Sequence, residues 1–127
     1  MENFARCCGY AVYAVANADK KIETLEKQEL QRILNKEWTI FVDGTDLFGV
    51  KAIDFVQEMM IELETEQLQV EVSFDRFSAL YSEIKNNLTE QQKRFILDLC
   101  IHVGGAFNRM NKSELVVLSR IEQIIRT

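Results

Sequence analysis

The sequence predicts an all-α fold, a single compact bundle of about six helices, and three observations carry that expectation. Proline is absent and only five of the 127 residues are glycine, whereas a fold built from many tight turns uses both freely. Apolar residues recur at helical spacing along most of the chain. A polar break between two helical stretches near the start is echoed near the end, as in a helix–loop–helix unit used twice.

Composition fits one domain over residues 1–127. With 47% hydrophobic and 28% charged residues, the chain is long enough to bury a core and too apolar for disorder. A net charge of −5 and a pI near 4.9 would repel a phosphate backbone, which argues against nucleic acid and toward cations or basic proteins. The start, MENFARCCGYAVYAVANAD, lacks the basic leader of a signal peptide. No run reaches the ~18 apolar residues of a membrane span. Cys7, Cys8 and Cys100 are odd in number and lack framework spacing, which fits a reducing cytoplasm.

The first helix is expected from Phe4 to about Asp19. Phe4, Cys8, Ala11, Val15 and Ala18 form one stripe, broadened by Tyr10, Val12, Tyr13 and Ala14, so much of its surface should be buried. A second helix starts near Glu23–Thr24 and turns Leu25, Leu30, Ile33 and Leu34 inward. Residues 38–42 (WTIFV) and 68–74 (LQVEVSF) are ambiguous. They read as a two-stranded ribbon or as linkers tucking apolar residues onto helices; a lone ribbon is marginal, which favours linkers.

Asp46 to Glu66 reads as a long helix with Val50, Ile53, Val56, Met60 and Leu63 on one side. Ser73 is the expected cap of the next helix, which carries Phe74, Phe77, Leu80, Tyr81 and Ile84 and stops at Asn86–Asn87. Thr89–Gln92 matches a capping box at the head of a fifth helix running to about Phe107. That helix is apolar nearly all round, through Phe95, Ile96, Leu97, Leu99, Cys100, Ile101 and Val103, so it is expected at the bundle centre. The last helix, from Asn111, should face Leu115, Leu118, Ile121 and Ile125 inward.

The polar break reads Ala18-Asp19-Lys20-Lys21-Ile22-Glu23-Thr24-Leu25-Glu26, and it aligns with Ala106-Phe107-Asn108-Arg109-Met110-Asn111-Lys112-Ser113-Glu114 at an offset of 88 residues. Leu30 then lies over Leu118 and Ile33 over Ile121. In each copy a helix ends, one apolar residue (Ile22 or Met110) plugs into the core, and a glutamate enters the first turn of the next helix, where the helix dipole favours it. Two such hairpins packed face to face would bring their corners together.

These residues resemble the TerB-like tellurite-resistance family, whose motif is Ala-Asp-Gly-x-apolar-x-x-x-Glu used twice. Here it stands as Ala18-Asp19-Lys20-Lys21-Ile22 with Glu26, and as Ala106-Phe107-Asn108-Arg109-Met110 with Glu114. The resemblance implies a helical bundle with its two motif loops close together, a link to tellurite and general stress resistance, and motif carboxylates proposed to hold a metal ion. Two departures weaken the metal. The usual glycine is Lys20, and the second aspartate is Phe107. Asp19, Glu26 and Glu114 remain as candidate ligands of a divalent cation, with Asp98 and Glu29 as bystanders. A hard cation takes six or more oxygens, so three carboxylates make a weak site, and each also reads simply as a helix cap or dipole partner.

Other candidates have plain readings. Adjacent helical side chains diverge by about 100°, so Cys7 and Cys8 would not converge on one soft ligand, and Cys8 reads as core. His102 can pair with Asp98 one turn earlier but has no nucleophile or second ligand nearby in sequence. The acidic run Glu58–Glu66 reads as a solvated helix face. No phosphate loop, paired zinc-ligand motif or nucleophile elbow is present, and the expectation is a non-enzyme. Its acidic loop cluster would bind a cation weakly or dock a basic partner. The alternative is a plain interaction or self-association module with an exposed patch at Trp38, Phe41 and Phe48.

Overall fold

The computed structural model describes residues 2–18, 32, 58–104 and 112–127 of the chain; among them there is no strand. The elements are α1 (Glu2–Ala16), α2 (58–65), α3 (Val70–Ile84), a short 3-10 turn at Lys85–Asn87, α4 (Glu90–Gly104) and α5 (Lys112–Arg126). The expected helix after Glu23–Thr24, the ambiguous stretch 38–42 and the patch at Trp38, Phe41 and Phe48 lie outside the described residues. Among the described residues no helix is long and apolar enough to cross a membrane.

The centre of this assembly is α1, which packs against α3, α4 and α5. The fifth helix of the sequence analysis, here α4, is expected at the centre; among the described residues α1 holds that place. Phe4, Ala5, Cys7, Cys8 and every residue from Ala11 to Ala16 are buried, and only Arg6 and Tyr10 keep one side of α1 partly exposed past its first turn. Its small residues explain the difference, because they let neighbouring helices come close. At Gly9 an added Cβ would lie 2.5 Å from the Met59 Sδ of α2. On α4, by contrast, Phe95, Ile96, Leu99 and Cys100 are buried while Ile101 is 43% exposed. Arg94, Asp98 and Ile101 follow at helical spacing on the outer face, where the Arg94 Nε lies 3.9 Å from an Asp98 carboxylate oxygen. Asp98 thus has an arginine partner; the His102 side chain lies outside the described residues.

The chain enters α3 four residues earlier than expected. Gln69, in an extended conformation, holds the N-cap position and makes no side-chain cap bond. Ser73 is not a cap. It lies inside the helix, fully buried, and its hydroxyl donates to the Tyr10 carbonyl of α1 at 2.8 Å. Both readings of 68–74 are therefore overturned: Leu68–Gln69 is the connection and Val70–Phe74 is helix. The alternation of Val70, Val72 and Phe74 imitates a strand, but Ser73, Phe74, Phe77 and Tyr81 form the buried helical stripe, and Val72 is exposed.

Several other expectations hold, and one on α5 does not. Met59, Met60 and Leu63 of α2 are buried, and Glu58, Glu62 and Glu66 face out. At the head of α4 the Gln92 amide donates to the Thr89 Oγ1 at 3.1 Å, and the Thr89 amide donates to the Gln92 Oε1 at 2.9 Å, which is the reciprocal capping box. On α5 the buried stripe is Glu114, Val117 and Ile121, with Leu118, Ile124 and Ile125 packed at its edges. Leu115, expected inside, is 52% exposed. A stripe centred on Ile121 and Val117 extends back to Glu114 one turn earlier, and Leu115 is carried about 100° out of it.

Candidate functional site

The described ends of the two motif segments meet at one end of the bundle. Asn17 and Ala18 follow the end of α1, and Lys112 and Ser113 begin α5; all four line a single groove of about 1100 Å³. Its remaining described walls come from the α2–α3 connection (Glu64, Gln67, Leu68, Gln69, Val70, Glu71) and from α5 (Val116, Val117, Arg120), with Tyr13 at its base. A groove of this size suits a small ligand or a short partner segment.

The α2–α3 wall is tightly specified. The Leu68 amide donates to the Leu63 carbonyl at 3.1 Å, and the Gln67 amide to the Glu64 carbonyl at 3.1 Å, the paired bonds of a Schellman ending. Gln67 occupies the left-handed position with φ of 54°, where glycine is usual. The Tyr13 hydroxyl reaches across from α1 and donates to the Leu68 carbonyl at 2.8 Å, with the Leu63 carbonyl at 3.2 Å sharing the same proton. Burial and the nearby Glu64 and Glu66 carboxylates push the Tyr13 phenol above its usual pKa, so it remains a donor at neutral pH. Asn17 closes the α1 end, its side-chain amide donating to the Tyr13 carbonyl at 3.3 Å.

The opposite wall is joined to α3 by one ion pair. The Arg120 guanidinium meets Glu71 in bidentate fashion, at 2.5 Å and 3.0 Å, and its Cζ lies 4.0 Å from the centre of the Phe74 ring. The hydrogen bond from Arg120 holds the Glu71 carboxyl below its ordinary pKa, and the same bond raises that of Arg120. Both charges are substantially exposed, so the pair fixes geometry more than it adds stability.

Of the candidate cation ligands, Glu114 is the one described. It is 5% exposed in the first turn of α5, one residue from the groove-lining Ser113. Asp19 and Glu26, and the plugging residues Ile22 and Met110, lie outside the described residues. Among the described residues no three His, Cys, Asp or Glu side chains gather closely enough to hold a metal ion, so of the three candidate ligands these residues supply Glu114 alone. The thiols are no alternative. Cys7, Cys8 and Cys100 are all buried and unpaired by disulfides; burial pushes Cys7 up to about 12 and Cys8 and Cys100 well above their ordinary value, which keeps them protonated and inert.

The sequence reading missed Tyr13, Gln67 and Arg120 as shapers of this end. Tyr13 carried a usable signal, a phenol within a run of alanines and valines that must find a partner for its hydroxyl. Arg120 and Glu71 are 49 residues apart and carried none. Comparison with known proteins gives one family. No match was found among curated proteins or among solved structures. A family model described as "Tellurite resistance protein TerB" matches residues 9–127, from Gly9 within α1 through both motif segments and α5. The chain belongs to the TerB tellurite-resistance family.

Proposed function

We propose that this chain is a non-enzymatic docking domain within tellurite and stress resistance, and that the groove between its motif corners receives a basic protein partner. The carrying observation is that Asn17–Ala18 and Lys112–Ser113 line one groove. Three features support the reading. The chain is acidic overall, at −5, and the α2 face leading to the groove exposes Glu58, Glu62 and Glu66. Val116 in the groove wall and Leu115 beside it are each 52% exposed, apolar surface of the kind partners cover. The buried, protonated thiols give no support to a thiolate reaction with tellurite.

A second reading, weak cation binding, is favoured by the burial of Glu114 beside the same groove. It needs Asp19 and Glu26 to join Glu114, since among the described residues no three potential ligands gather. Amide-resolved NMR titration separates the two. A lysine-rich peptide should perturb residues 17–18, 64–71 and 112–120, and Val116→Lys should weaken that binding at least tenfold. Calcium, manganese or zinc should instead act around residue 114, with loss in Glu114→Gln, whose folding is checked by circular dichroism. Shifts scattered over the acidic surface, or centred away from the groove, would overturn the docking proposal.

A further inference from the structure

We draw no further inference here: the strongest candidate, the outward face of α2 that exposes Glu58, Ile61 and Glu62, is an unpartnered helix face among the described residues, and nothing in the structure shows what covers it.

Discussion

Helices α1 and α5 are each 15 residues long and each abuts a motif corner, yet they solve opposite problems. From Ala11 to Ala16 α1 buries every residue, using small side chains so that its neighbours can approach. Its polar groups are satisfied by specific long-range bonds, such as the Ser73 hydroxyl on the Tyr10 carbonyl. In contrast, α5 buries one stripe and keeps Leu115 and Val116 half in water. It is attached to α3 through a surface ion pair and the Tyr81 hydroxyl, which donates to the Ile125 carbonyl at 3.3 Å. The difference teaches where tolerance lies. Substitutions on α1 should be read out as folding free energy, whereas the outer face of α5 can change its side chains to suit a partner.

If α1 is the sealed region, alkali should find it first. The unfolded chain releases the Cys7 proton near 9.0, but the folded chain holds it up to about 12. Between those values the native state binds more protons than the unfolded state, so stability falls as pH rises. Below 9.0 both states are protonated and nothing is lost. The slope is about 1.4 kcal/mol per pH unit for each such thiol, and several kcal/mol should be gone by pH 11. Urea midpoints measured from pH 7.5 to 11 test this, with Cys7→Ala expected to show a shallower decline. Parallel curves for the two proteins would mean that the thiol is not sealed.

Sterics offer a second way to break the contrast. A β-branched side chain at Gly9 meets Met59, itself buried, so Gly9→Val should cost about 1–3 kcal/mol. The far smaller change expected for Val116→Ala on α5, within about 0.5 kcal/mol, is the control. Trimming the obstacle should restore part of the loss: a double-mutant cycle with Met59→Ala is expected to give a favourable coupling. Equal costs at residues 9 and 116 would erase the distinction between the helices.

Much of this architecture was legible because helical periodicity is local. The stripe through Phe74, Phe77 and Tyr81, the inward Met60 and Leu63, and the Thr89–Gln92 box are all set by residues within one or two turns of each other. What the sequence hid was comparative. Hydrophobicity favours a helix rich in Ile, Leu and Phe for the centre, but close approach favours Ala, Gly and Cys, and in α1 the second effect won. Ser73 looked like a cap because serine caps are common; it serves instead as a buried donor to Tyr10, a role set by a partner 63 residues away. The groove was foreshadowed by the repeated motif, while its walls depend on the pairing of Glu71 with Arg120, which no local pattern announces.

Tyr13 joins the sealed helix to the groove, so its hydroxyl can be removed with little change in shape. Tyr13→Phe keeps the ring and leaves the Leu68 carbonyl without its 2.8 Å donor. The expected cost is about 1–2 kcal/mol, accompanied by faster amide exchange at Gln67 and Leu68. A loss of stability with no change in exchange there would show that the hydroxyl does not hold the turn.

The smallest effect expected is a gain. Gln67 is held at φ of 54°, a region that costs a residue bearing a Cβ roughly 1 kcal/mol or more. The turn itself is fixed by the Leu68-to-Leu63 and Gln67-to-Glu64 bonds and by Tyr13, none of which uses the Gln67 side chain. Gln67→Gly should therefore relieve the strain without losing a contact. Part of the gain is offset because glycine is freer in the unfolded chain, leaving a net stabilisation of about 0.5 kcal/mol in chemical denaturation. Gln67 also lines the groove, so the same variant asks a second question. If it is more stable and binds the lysine-rich peptide as tightly as before, the strain is a local accident of this turn. If it is more stable but binds more weakly, the glutamine is retained for contact with what enters the groove, and the tight wall belongs to the recognition surface along with α5.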